Sequence, residues 1–495
     1  MEMQFERMIV DYLQRLAGQY RCQEQTLEVR LPDGMPDIGR VLGAWGQVIV
    51  RGKEWNSDNM AAQCGVMVWV LYTPEDGSGV RSVEAWLPFS MKWELPDTRY
   101  DGKILVSCLL KGVDARSTSA RKLMVRANMV AMGEAYMQDQ GQIAVPANVP
   151  EDVELLTATY PMLLPKEAGE KAFLLEEQLP LLEDRPRIDK LLYYSLQPQI
   201  DDQKVMGDKV VFRGNALLHM LCRGEDGSLF PYDYELPFSQ YGDLEGNFDQ
   251  NPTVSVHPCV TSLDVAMDED GQLSVKAGVL GQYLVSEQTA VTVAEDAYSP
   301  RRQVTPLTEQ LQLPAILDQT TQNIRAEQTI PADVSQPVDM TFLPQMGQAE
   351  WTESGVRMPL QGQFQMLYYD PEGELRSSQT AWDGMWSQNV AEDTQVWTWL
   401  SPDGRPDLST GNLRGDMVVN GITMAGQGIA MVTGLELGEI KRLDTDRPCL
   451  ILTRKGNRRL WDVAKDSGST VQTILQANGL TEETDDDRVL LIPVL

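Results

Sequence analysis

Residues able to do covalent or metal chemistry are few in this chain of 495 residues, and they are badly spaced for it. Only two histidines occur, His219 and His257, both inside runs that read as strands, and neither belongs to an HExxH pair. The six cysteines, Cys22, Cys64, Cys108, Cys222, Cys259 and Cys449, form no CxxC pair and no cysteine–histidine grouping with zinc spacing. G-x-S-x-G, G-x-x-x-x-G-K-[ST] and a strand-linked G-x-G-x-x-G are all absent. Seventy-two Asp and Glu residues guarantee accidental close pairs, so no glycosidase dyad follows from the sequence. The expectation is a protein that is not an enzyme, with no catalytic residue, metal or cofactor. Residue types suited to holding a partner gather instead near the end. Arg454, Lys455, Arg458 and Arg459 are the one dense basic cluster of that region, with Trp461 and Lys465 following.

These residues sit in a chain whose formal balance is 42 − 72 = −30. A field of that sign repels phosphate backbones, so nucleic acid and anionic lipid surfaces are not expected partners, whereas a basic patch is attracted. No run of about 18 apolar residues is present, which argues against a membrane-spanning helix. The start, MEMQFERMIVDYLQRLAGQY, lacks the parts of an export signal, so the cysteines are expected as reduced thiols and the protein as cytoplasmic. Phe5, Ile9, Leu13 and Leu16 fall at helical spacing and predict an amphipathic N-terminal helix.

The elements that must position the basic cluster are repeated. PDIGRVL at Pro36–Leu42 aligns with PRIDKLL at Pro186–Leu192, an offset of 186 − 36 = 150. VLYTPEDGSGV at Val70–Val80 aligns with MLCRGEDGSLF at Met220–Phe230, and KLMVRA at Lys122–Ala127 with QLSVKA at Gln272–Ala277, at the same offset. WLPFS at Trp86–Ser90 and ELPFS at Glu235–Ser239 differ from it by one residue. A third, more diverged copy shows in AEQTI at Ala326–Ile330, against QEQTL at Gln23–Leu27, and in MLYYDPEGEL at Met366–Leu375. Its LPF block has become AWDGMW at Ala381–Trp386, and MVVNG at Met417–Gly421 stands for its LSVKA strand.

Each copy reads as β-structure, with β-rich runs ending at the Asp76-Gly77 and Asp226-Gly227 turn signals. A period of 150 is too long for a solenoid, which predicts independent β-domains in series. Linkers are expected at Thr159–Ala172, Ala297–Pro306 and Lys441–Pro448, where Pro, Gly and charge interrupt the pattern. In the LPFS blocks a Pro on an edge strand and a Phe in the core suffice as explanation. Asp37 reads as a turn residue, because Arg187 holds its place in copy two.

The final fifty residues differ. CLILTRKG reads as a strand, Leu460, Val463, Ala464 and Ser467 mark one face of a short helix, and Val471, Ile474, Leu475 and Asn478 mark a second. Ser469-Thr470 offers an N-cap, Asn478-Gly479 a left-handed stop, and RVLLIPVL a closing strand, giving a βααβ unit.

The stretch LWDVAK…STVQTILQANGL…LLIP resembles the LysM domain. What that resemblance implies is binding of N-acetylglucosamine-containing glycans by the loops after the first strand and the second helix. Asn457, Arg458, Arg459, Asn478 and Gly479 stand in those loops, with Trp461 and Lys465 beside them. Two features depart from the family: the Gly-Asp-Thr turn is replaced by Gly456-Asn457-Arg458-Arg459, and the Gly-Gln turn by the acidic stretch Glu483–Arg488. LPDGMPDIGRVL at Leu31–Leu42, DKVVFRG at Asp208–Gly214 and the paired LPFS blocks resemble the SPOCS domain. SPOCS domains joined to a C-terminal LysM are similar to spore-coat morphogenetic proteins of endospore-forming bacteria, whose LysM module docks on the ATP-hydrolysing basement-layer protein around the forespore.

The expected architecture is therefore mainly β and multidomain. The N-terminal helix and SPOCS-like repeat one occupy 1–160, repeat two 170–298, diverged repeat three 308–440 and the LysM domain 449–495. The expected function is a non-enzymatic spore-coat assembly scaffold in the mother-cell cytoplasm at the forespore surface. Its partners would be the basement-layer protein and other coat proteins. The alternative is peptidoglycan or N-acetylglucosamine-glycan binding through the LysM module. Trp461 is either folded onto its own module or a partner-facing anchor. The basic cluster is either solvated or in contact with an acidic partner or a sugar.

Overall fold

A computed structural model of the chain describes residues 4–56, 58–95, 102–180, 185–248, 250–269, 271–392, 394–409, 411–440, 448–483 and 487–495. Copy one contains β1 (Gln4–Arg30), β2 (Ile38–Trp55), β3 (Asn59–Pro74), β4 (Arg81–Glu94), β5 (Gly102–Ser119) and β6 (Lys122–Asn148). Copy two contains β7 (Glu154–Gln178), β8 (Ile188–Gly224), β9 (Leu229–Phe248), β10 (Thr253–Met267) and β11 (Leu273–Tyr298). Copy three contains β12 (Arg302–Thr329), β13 (Gln336–Met346), β14 (Glu350–Thr352), β15 (Gly355–Tyr369), β16 (Leu375–Gln388), β17 (Gln395–Ser409) and β18 (Asn412–Ile440). The terminal module is β19 (Leu450–Arg454), α1 (Leu460–Ser467), α2 (Val471–Ala477) and β20 (Val489–Pro493). The chain is mainly β, and its two helices among the described residues are both in this module.

The copies share one topology. Their first and last strands pair antiparallel, with the penultimate strand on the outside: β1-β6-β5, β7-β11-β10 and β12-β18-β17. Between them lies a meander, β2-β3-β4 in copy one and β13-β15-β16 in copy three. In copy two β8 supplies the first two meander strands by itself. It carries left-handed Gly207 (φ 62°) at its middle, and the Asn215 amide donates to Asp201 at 2.9 Å, so its halves lie side by side. The meander turn carries a left-handed glycine three times, Gly77, Gly227 and Gly373 at φ of 70°, 84° and 82°; Asp76 and Asp226, directly before it, accept from the N–H groups of Ser78 and Ser228, whereas in copy three the accepting Asp370 stands three residues before Gly373 and takes the N–H of Glu372. An aspartate that bonds the backbone two residues on, with a glycine free to take positive φ, is the turn chemistry these residues favour. Within the LPFS blocks Leu87, Phe89, Leu236 and Phe238 are buried while Pro88 and Pro237 stay exposed on outer strands.

Three expectations are corrected. The N-terminal segment is not a helix but β1, paired with β6 along its whole length. The long partner strand satisfies its backbone, and both faces of its middle are covered: Tyr12 enters one core and Leu13 another, while Ile9 is 56% exposed. The predicted linker at Thr159–Ala172 lies within β7, which runs unbroken from 154 to 178. Between β11 and β12 only Ser299–Arg301 connect the strands. Of the third expected linker, residues 441–447 lie outside the described residues.

The copies also pack against one another. One buried cluster takes Val10, Tyr12, Ile143 and Ala144 from copy one, Met162, Leu164, Val291 and Val293 from copy two, and Leu313, Ala315, Ile429 and Met431 from copy three. Equivalent strand segments thus meet in a common core. A second cluster again draws on all three copies, joining Leu13, Leu105 and Tyr136 to Ala168, Leu284, Ile316, Trp397, Ile422 and Met424. Each copy also keeps a core of its own, with Val50, Val68 and Leu123 in that of copy one, Phe212, Leu218 and Val279 in that of copy two and Phe364, Trp386 and Val419 in that of copy three, and the two shared clusters join these three β-units to one another.

Candidate functional site

Glutamines close the seams between copies. Edge strand β5 has unpaired backbone groups at Val106, and Gln282 of copy two answers both, accepting from Val106 N at 2.9 Å and donating to Val106 O at 2.8 Å. Gln47 of copy one accepts from Leu196 N at 2.8 Å, Gln365 of copy three donates to Ala44 O at 2.9 Å, and Gln197 of copy two to Pro402 O at 2.7 Å. A primary amide carries the donor and acceptor of a peptide group, so each side chain does the work of a missing partner strand.

A charged network lies at the seam of copies two and three. His219 on β8 meets Asp233 through Nδ1 at 2.7 Å and Asp339 through Nε2 at 3.0 Å. Arg405 from β17 donates to Asp339 at 2.7 Å and to Asp233 at 2.5 Å, and Tyr193 O–H also donates to Asp339. Burial opposes charge on His219, but the two carboxylates outweigh it and hold its pKa above 6.5. Burial would likewise raise Asp339; His219 and Arg405 overcome that and keep it below the usual carboxylate range. His257 has no such company. It lies against Trp399 and Trp397, and burial pushes its pKa down to about 3. Both histidines border a cavity of about 790 Å³ where the copies converge, lined among others by Trp45, Leu109, Tyr194, Phe342 and Trp399. Among the described residues no three His, Cys, Asp or Glu side chains are placed to share a metal ion. Arg405 supplies the positive charge that the two carboxylates need.

The terminal module has the expected βααβ order. Thr470 caps α2 by accepting from Thr473 N at 3.1 Å, and Gly479 ends it at φ 65°. Asn478 ties the helix to the last strand: its amide donates to Ile474 O at 2.8 Å and Leu491 O at 2.7 Å, and its oxygen accepts from Leu491 N at 2.8 Å. It is a structural clamp. Arg459 forks onto Asp462 at 3.2 Å and Arg458 reaches Asp466 at 3.3 Å, both on the surface. Lys455 is buried and pairs with Glu483 at 3.2 Å, while Arg454 stays exposed near Asp487. Glu483 and Asp487 thus answer Lys455 and Arg454 inside the module, and their carboxylates also accept the backbone N–H groups of Leu460 and Gly456, at 2.8 and 3.0 Å. Asn457 and Gly479 are exposed turn positions.

Trp461 packs into the core of its own module, one of the two sequence alternatives, and together with Lys465 it also fastens the module to copy two. Trp461 Nε1 donates to Asp296 at 2.8 Å, and Lys465 Nζ lies 2.7 and 2.8 Å from the two Asp296 oxygens. Tyr298 meets the Trp461 ring edge-on at 4.7 Å between centroids and donates from its hydroxyl to Ser469 O at 3.0 Å. Burial would raise the Asp296 pKa, yet Lys465 and the indole N–H hold it below the carboxylate range.

That leaves the strand side of the module outward. Alternation sends Leu490 and Ile492 into the module core with α1 and α2. Leu450, Leu452 and Val489 point the other way, Leu452 being 71% and Val489 60% exposed, and Arg454 completes the row. Among the described residues the molecule has no helix long and apolar enough to cross a membrane. Comparison of the chain with protein-family models, with curated proteins and with solved structures finds no match in any of the three.

Proposed function

We propose that the chain is a non-enzymatic assembly scaffold of the spore coat, whose terminal LysM-like module docks on a coat basement-layer protein at the forespore surface. The observation that carries this reading is the outward strand face of the module. Exposed apolar side chains on adjacent strands, with an arginine at the rim, are the composition of a protein-binding patch more than of a solvated surface. The body behind it is large, internally cross-braced and strongly acidic, which suits a spacer that stays soluble until recruited. Several of the residues on which a glycan reading rests are engaged elsewhere: Asn478 clamps the fold, Trp461 and Lys465 hold Asp296, and Arg458 and Arg459 pair with Asp466 and Asp462 on the surface, while Asn457 and Gly479 stay exposed.

The test is co-purification from sporulating cells. Removing Cys449–Leu495 is expected to abolish capture of the basement-layer protein while the body keeps its β-sheet circular dichroism. Undiminished capture would refute the reading, and saturable sedimentation of the full chain with purified peptidoglycan would favour the glycan alternative.

A further inference from the structure

The contact that seats the module is unusually simple. Its polar receptor is the end of β11, where Asp296 and Tyr298 stand two residues apart and so project from the same face, with Leu156 of β7 packed beside them. The module reads that stretch as a carboxylate followed by a phenol: Trp461 and Lys465 take the first, the Trp461 ring and the Ser469 carbonyl take the second. Nothing in this recognition depends on receptor and module belonging to the same chain. Between Ile440, the end of β18, and Leu450, the start of β19, there are nine residues, enough to span at most about 30 Å.

We propose that the module exchanges between chains, with the Trp461–Lys465 face of one copy seating on the Asp296–Tyr298 stretch of another. The partner is a second copy of this chain, recognised by an acid–x–aromatic strand. Exchange of an element whose contacts are the same within and between chains costs little, because only the entropy of association separates the two states. An intramolecular seat benefits from an effective concentration in the millimolar range, so isolated chains close on themselves and chains crowded on a surface exchange. Successive exchange makes a heterologous, head-to-tail contact that extends without closing. This inference rests on the scaffold reading and supplies its mode of self-association. It uses the helix side of the module, whereas the basement-layer protein is assigned the strand side.

The experiment pairs two full-length variants, D296K and K465D. Alone, each sets like charges face to face both within and between chains, so each is expected at the monomer mass of 55.4 kDa. Mixed in equal amounts, the two can satisfy both seats only by reciprocal exchange, and light scattering is expected to show a species of at least 2 × 55.4 kDa. The double variant, with both charges reversed on one chain, is expected to return to the monomer. A mixture that stays monomeric at about 0.1 mM, a tenth of a millimolar effective concentration, overturns the proposal. If a variant loses its β-sheet circular dichroism, wild-type chains carrying donor and acceptor dyes replace it, tethered together at high density on a bead surface. Energy transfer that grows over hours supports exchange, and its absence overturns it. Binding of each variant to the basement-layer protein is measured beside this: loss of that binding with exchange intact counts against the scaffold reading alone.

Discussion

Replacing Asp339 by Asn removes the charge at the centre of the seam between copies two and three. Its carboxylate accepts from His219, Arg405 and Tyr193, and its side chain is 1% exposed. Taking away one member of a buried charge network leaves the others uncompensated, which costs about 3–5 kcal/mol. The body of about 440 residues, unfolding as one unit, has a transition entropy of about 0.9 kcal/mol/K. A loss of about 4 kcal/mol then lowers Tm by about 4–5 °C in a single calorimetric transition. The same loss confined to an independent copy of about 130 residues has an entropy near 0.27 kcal/mol/K behind it and shifts that copy alone by about 15 °C. Differential scanning calorimetry of wild type and Asp339→Asn separates the cases. A split endotherm with one component displaced far below the rest would refute the coupling of the copies through their shared clusters, and a shift under about 1 °C would refute the energetic weight given to the network.

The two histidines make opposite contributions to the pH dependence. His219 has a raised pKa, so its stabilisation is complete below about 6.5 and is lost as pH rises through the folded value; His257, depressed to about 3, contributes above 6.5 and loses that contribution as pH falls. His219→Gln should therefore steepen the loss of Tm on acidification from pH 8 to pH 5, and His257→Phe should flatten it, both read from thermal melts. Gln282→Leu leaves Val106 N–H and C=O without partners and is expected to cost about 2–5 kcal/mol, seen as a lower urea midpoint with unchanged slope. Cys64 and Cys108 hold their sulfurs 3.5 Å apart, and exposure to a low-molecular-weight disulfide should join them with loss of two hydrogens. The 44-residue loop predicts about 4 kcal/mol of stabilisation, with slow formation because the hydrogen bond with Cys64, and then burial, keep the Cys108 thiol protonated; Cys64→Ser should abolish the mass change.

Local chemistry was legible in the sequence. Asp-Gly turns, the LPF blocks and the spacing of Leu460, Val463 and Ala464 each depend on a few neighbouring residues, and each appears in the structure as read. Long-range consequences were not. Phe5, Ile9, Leu13 and Leu16 have helical spacing by coincidence, because β1 is covered on both faces in its middle and loses the alternation that marks a half-exposed strand. Asp339 and Arg405 carry no local signal that distinguishes them among 72 carboxylates and 42 basic side chains. The bracing glutamines are ordinary surface residues by composition; Gln282 and Gln365 are buried and Gln47 and Gln197 half-buried where the copies meet. Trp461 was readable as an anchor; that its counterpart is Asp296 of the same chain needed coordinates.

The most direct test of the scaffold account is a binding titration of the full chain against immobilised basement-layer protein, comparing wild type with Leu452→Glu. Leu452 is too exposed for the change to disturb the fold, yet a carboxylate at the centre of the outward strand face should weaken binding at least about tenfold, or about 1.4 kcal/mol. Equal affinity of the two chains would contradict the account.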